Sequence, residues 1–230
     1  MSRAGTAFLN TEYEAGPGRG RQRDAAATRE RLLDAAEAQF AAHGLAGSRV
    51  DEIARAAGVN VQLIYRYFGD KAGLHRAAFD RTLARLARQL GEPVIGDGAG
   101  MDARAAFRYH IGRYLDFVWS DPTYARLGLW SLAEGTDPHD GEHGSGLAEL
   151  ERQSRVAVAS GIASGLLRPE TTPELFCTTL IALSLGQYGL ITSCGVFGGR
   201  PATPPTPEQR ETLRDLVVGA MLGAFGRGPS

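Results

Sequence analysis

Lysine is almost missing from this sequence: of 25 Lys and Arg residues only Lys71 is a lysine. Cysteine is nearly as scarce, with Cys177 and Cys194 the only two. Both fall in one apolar, helix-like segment, where a rise of about 1.5 Å per residue sets them about 25 Å apart, beyond disulfide reach within a chain. Reduced thiols are expected. No uninterrupted apolar run approaches the roughly 18 residues of a membrane span, and Met1 to Tyr13 lacks a basic-then-apolar leader pattern. The expectation is a cytoplasmic protein with no membrane partner. The signatures of common catalytic sites are also missing: there is no Gly-rich phosphate loop, no G-x-S-x-G and no H-E-x-x-H. An enzyme is therefore not expected, nor a cofactor. Asp137, His139, Asp140, Glu142 and His143 bring ligand-type side chains to one loop. With neighbouring glycines and no thiolate, that loop reads as polar surface, and no metal is expected.

What is present is ordinary in amount and uneven in distribution. The 230 residues are 43% apolar and 22% charged, globular values for a small plus a medium domain. The net charge is −1, yet Arg19 to Arg88 holds 13 Arg and Lys against 8 Asp and Glu, while the remainder is acidic. A basic first third on an acidic body suits a chain that meets phosphate at one end.

Residues 1–22, with Gly16, Pro17, Gly18 and Gly20, read as a disordered arm; its closing Arg19 and Arg21, with Arg23 just beyond, suit a soluble tail or a strand following a minor groove. Leu32, Ala36 and Phe40 then recur at helical spacing until His43-Gly44 stops the run. Ser48 with Asp51 forms a shortened capping box ahead of Val50, Ile53, Ala54 and Ala57, and Gly58 breaks this second helix after two turns. Asn60 is a good N-cap for a short third helix, Val61 to Phe68. Ile64 and Phe68 can face inward there, which turns Val61, Gln62, Tyr65 and Arg66 outward. A helix from Lys71 to about Leu90 follows, then helical spans near 101–120, 123–134, 146–166, 172–194 and 207–226, separated by Gly- and Pro-rich breaks. No alternating run suggests a strand, so the fold class is all-α.

Two short helices joined by a tight Gly-containing turn, the second with outward polar and aromatic side chains, make a helix-turn-helix. The longer pattern Gly44, Ser48, Ile53-Ala54, Ala57-Gly58-Val59, Tyr65, Tyr67-Phe68, Lys71 and Leu74 resembles the TetR family of bacterial repressors. The resemblance covers roughly residues 25–78 and implies a three-helix DNA-binding domain at 23–74. A helical ligand-binding and dimerisation domain would follow at 75–226. It implies a homodimer on a palindromic double-stranded operator, released by a small hydrophobic or aromatic effector.

By position, Gln62 can pair with adenine, Val61 can touch a thymine methyl, and Leu63 lies beside them at the leading end of the reading helix. By resemblance, Tyr65, Tyr67 and Lys71 contact phosphate, as do Ser48 and Arg49 at the start of helix two. Core packing is the other reading of the two tyrosines. In the body, Tyr114, Trp130, Gln187 and Tyr188 are the candidate liners of an effector pocket. In the family the last two helices of each subunit build the dimer interface, and here the last one sets Leu213, Val217, Ala220 and Ala224 as the candidate seam, with burial inside the monomer as the other reading. The alternative is a helical small-molecule-binding or adaptor protein without DNA contact, which the basic first third and the outward Gln62, Tyr65 and Lys71 disfavour.

Overall fold

The computed structural model describes residues 17–93, 101–136, 144–194 and 205–227. Among them the chain is all-α, its one β-type contact an isolated bridge between Leu167 and Gly226. The helices are α1 (Pro17–Gly47), α2 (Val50–Ala57), α3 (Gln62–Phe68), α4 (Lys71–Leu90), α5 (Ala103–Ser120), α6 (Pro122–Glu134), α7 (Ser145–Ala163), α8 (Pro173–Gly189) and α9 (Pro207–Phe225), with a π-helical turn at Leu190–Cys194 after α8.

Local chemistry explains most of the boundaries. Asp70, Asp102, Asp121, Thr172 and Thr206 each accept a backbone N–H in the first turn of the helix they open, and Pro122, Pro173 and Pro207 fill first positions where no N–H is needed. Thr206 and Gln209 complete a capping box. Two expectations change. α1 starts at Pro17, so residues 17–22, expected in a disordered arm, are helical; 1–16 lie outside the described residues. Ser48 does not cap α2. Arg49 holds that position with no side-chain cap, because the Ser48 hydroxyl turns back and donates to the carbonyls of Gly44 (2.6 Å) and Gln39 (3.2 Å).

α4 is the element common to both ends of the molecule. Its start packs on α1 and α3 through buried Leu74 and Ala78, and its remainder runs along α5, α6 and α7. A charged clasp holds it to α1. Arg81 donates to Glu37 (2.6 Å), Asp34 (2.7 Å) and Glu30 (3.0 Å), while Arg85 reaches Glu37 (2.9 Å) and Asp121 (3.0 Å). The Glu37 carboxylate is buried, so the two guanidinium groups are what permit its charge there.

α1 changes direction at Gly44, where φ is 69°. A side chain there would be strained, and its Cβ would strike the Glu134 carboxylate and the Trp130 indole. The kink frees the N–H groups of Leu45 and Ala46, and the Glu134 carboxylate at the end of α6 accepts both at 3.0 Å. Trp130, one turn earlier, donates its indole N–H to the Ala41 carbonyl (3.3 Å). α6 is thus hydrogen-bonded to α1 at three backbone groups.

Pro173–Thr192 is the one span among the described residues that is long and apolar enough, by composition, to cross a membrane. The sequence reading sought an uninterrupted apolar run and passed it over, because threonines, serine and Gln187 punctuate it. Here it packs on α5, α6, α7 and α9.

Candidate functional site

The first candidate surface is built from α2 and α3. Buried Ile53, Ala54 and Ala57 seat α2 against the core, and Gly58 ends it in the left-handed conformation (φ 65°). The Val59 N–H reaches back to Ala54 O (3.0 Å) and the Gly58 N–H to Arg55 O (3.1 Å), closing the helix in the Schellman manner. Asn60 was expected as the N-cap of α3, but Val61 holds that position with no side-chain cap; from one residue further out the Asn60 side-chain oxygen still accepts the Gln62 N–H at 2.8 Å. Ile64 is wholly buried and fixes the roll of α3. Gln62, Tyr65 and Arg66 then face outward, Tyr65 with 52% of its surface exposed.

The other expected contact residues are placed less uniformly. Arg49 is exposed beside the turn. Val61, Leu63 and Tyr67 are half-buried and pack against the core, so the core reading of Tyr67 holds in part. Tyr67 meets Phe68 edge-on, and Phe68 lies under the Arg29 guanidinium at 5.2 Å. Lys71 donates to the Ser48 carbonyl at 3.2 Å, tying the start of α4 to the α1–α2 turn. Ser48 itself is buried with its hydroxyl engaged, which corrects its assignment as a side-chain contact to phosphate: its work is to hold the turn.

The second candidate surface is internal. A cavity of about 700 Å³ opens among α4, α5, α6, α7 and α8, within the usual range for small-molecule sites. Phe79, Leu83, Phe107, Tyr114, Tyr124 and Phe176 give it an aromatic and aliphatic lining. The Tyr114 hydroxyl pairs with Ser184 (2.8 Å) and lies 3.4 Å from that of Tyr124; burial pushes both phenols above their ordinary pKa, so both stay neutral.

Of the four expected liners only Tyr114 reaches the cavity. Trp130 is engaged by α1 on the far side of α6, Tyr188 packs on Trp119 (ring centroids 5.2 Å apart) in the core, and half-buried Gln187 is not on the wall. The sequence showed that the middle helices are rich in aromatics but not which faces turn inward. Phe79 and Leu83 were missed because α4 read as an ordinary amphipathic helix. Ser131 and Gln153 carried no signal at all, since a cavity-facing polar group looks like any other in sequence.

The loop 137–143 lies outside the described residues, and no cluster of metal-type side chains occurs among the described ones. Cys177 is a free, half-buried thiol on the cavity wall, raised in pKa by burial.

These features define an all-α protein with a helix-turn-helix at one end and a cavity in its helical body. Residues 32–78 match the family described as bacterial regulatory proteins, tetR family. The HTH-type transcriptional repressor SCO4008 of Streptomyces coelicolor is 38% identical over 123 residues, 52% of this chain and 59% of the relative. The HTH-type transcriptional repressor NicS of Pseudomonas putida is 26% identical over 156 residues, 65% of this chain and 64% of the relative. The chain therefore spans about three fifths of the length of these relatives. A TetR family transcription regulator from Marinobacter aquaeolei has the same fold, with a TM-score of 0.62 and 23% identity over 90% of this chain and all of that one. Over residues 32–78, the helix-turn-helix end, the chain is similar to the tetR family of bacterial regulatory proteins.

Proposed function

We propose that this protein is a transcriptional repressor that binds a palindromic DNA operator as a homodimer and releases it when a small apolar molecule fills the body cavity. Residues 23–74 form the DNA-binding domain and 75–226 the effector and dimer domain, within the cytoplasm. The observation that carries the reading is the placement of α3, a short helix held from beneath by Ile64 with Gln62, Tyr65 and Arg66 turned to solvent. In the major groove Gln62 pairs with adenine, with Val61 and Leu63 at the shoulder of the same turn. Arg49, Tyr65, Tyr67 and Lys71 reach phosphates, Lys71 through the ammonium protons that Ser48 does not take.

Outward faces of α8 and α9 support the dimer. Leu175 and Ile181 on α8, Leu190 in the π-helical turn after it and Leu216 on α9 are exposed, and small Gly219, Ala220, Gly223 and Ala224 beside Leu216 leave room for a second helix. Signal passes through α6, which lines the cavity with Ser131 on one side and holds the α1 kink with Trp130 and Glu134 on the other. A ligand that shifts α6 changes how the reading heads are held, and so discriminates between the two states.

The test compares two substitutions on specific and random duplexes. Gln62→Ala removes a base contact and is expected to lose about 1 to 3 kcal/mol on the operator with little loss on random DNA. Lys71→Ala is expected to weaken both. Equal behaviour of the two variants contradicts the assignment.

A further inference from the structure

The wall of the cavity carries more information than its size. None of the described residues that line it is a lysine or an arginine. The wall does carry His110 and the carboxylate of Glu151, the latter 3.8 Å from the Arg155 guanidinium. An anionic ligand entering here would leave water and find no lysine or arginine on the described wall to pair with it.

Polar groups on the wall point to a complementary ligand. The Gln153 side-chain nitrogen donates to Ala87 O (3.1 Å) and to the Glu149 carboxylate (2.9 Å), which fixes the amide orientation. Its oxygen Oε1 is buried with no partner, as are the hydroxyls of Ser131 and Thr136. Ser131 and Gln153 are more than nine-tenths buried and both line the cavity. Buried polar atoms are satisfied in folded proteins by protein, water or ligand. With both amide protons engaged, Gln153 offers its neighbourhood a pure acceptor, which suits a hydroxyl or an amine and disfavours a ligand that can only accept. The rings that line the same cavity, Phe79 stacked on Tyr124 (6.4 Å) and Phe107 edge-on to Phe176 (5.9 Å), suit a flat hydrophobic body.

We propose that the cavity selects a largely apolar, ring-containing molecule that bears a hydroxyl or amine donor and no anionic group, with Ser131 and Gln153 as the residues that read the donor. This rests on the reading of the cavity as the effector site. It makes carboxylates and phosphates non-ligands. It also places the donor contact on Ser131, one residue along α6 from Trp130, which holds α1.

Isothermal titration calorimetry of the full-length protein with four matched probes tests it: 2-naphthylmethanol, 2-naphthylmethylamine, 2-methylnaphthalene and 2-naphthoate. The alcohol and the amine are expected to bind at least about tenfold more tightly than the acid, and about fivefold more tightly than the methyl compound, the size of one ordinary hydrogen bond. Ser131→Ala removes a hydroxyl that holds nothing in the fold. It is expected to leave the melting temperature and the methyl compound's affinity unchanged while erasing most of the alcohol's advantage. Gln153→Leu repeats the measurement at the second group. Acid binding equal to that of the alcohol overturns the proposed class alone, as does an alcohol advantage that survives both substitutions. If none of the four probes binds, the reading of the cavity as an effector site falls with it.

Discussion

His75 sits where the helix-turn-helix and the body meet, buried between Phe40 (ring centroids 4.9 Å apart, edge-on) and Phe79 (6.5 Å, stacked), with its Nε2 unpartnered. Desolvation lowers its pKa below the ordinary value near 6.5, against a smaller upward pull from Glu134, and Arg76 adds to the lowering. The folded state therefore binds its proton later, on acidification, than the unfolded chain does. Stability is full above about pH 6.5 and falls as the pH drops through and below that value toward the folded pKa. His75→Phe keeps a flat ring in the gap and is expected to flatten this part of the decline in urea melts taken from pH 7 to about pH 5. An unchanged slope would assign the decline to other groups. Gly44 makes the same junction depend on backbone geometry, since only a residue without Cβ accepts φ 69° this close to Glu134.

At the scale of elements, the helices were largely legible because their start and stop signals are local. Thr172-Pro173 and Thr206-Pro207 announce α8 and α9, and Gly58 and Gly91 end α2 and α4. The roll of α9 was not. Leu213, Val217, Ala220 and Ala224 were expected as one seam, but Val217 is 1% exposed, with Val218, Met221 and Phe225 buried beside it in the monomer core. Ala220 and Ala224 face out with Leu216, which is 60% exposed. In a helix with apolar residues on two faces, periodicity alone cannot say which one meets its own subunit. The two positions therefore separate by experiment. Val217→Glu buries an unpaired charge and is expected to cost several kcal/mol and unfold the subunit. Ala220→Glu, on the outer face, is expected to give a folded monomer by light scattering with near-native helicity. A dimeric Ala220→Glu protein would move the interface elsewhere.

For the molecule as a whole, the reading end was the more legible. Its residues follow one another within a single short stretch, and both the turn at Gly58 and the outward face of α3 are fixed by neighbours in sequence. Ser48 is the exception, because its inward turn depends on the α1 kink. The cavity depends on five helices meeting, and three of its four expected liners lay elsewhere for that reason. The central claim, that α3 and its surroundings grip operator DNA, is open to one direct measurement. A palindromic duplex selected from a random library by the full-length protein is titrated, with fluorescence anisotropy as the readout, at salt concentrations from about 50 to about 200 mM. Arg49 and Lys71 of two subunits supply four cations, so affinity is expected to fall on the order of a hundredfold across that range, with two subunits bound per duplex. Failure to enrich any palindrome, or an affinity indifferent to salt, would contradict the account.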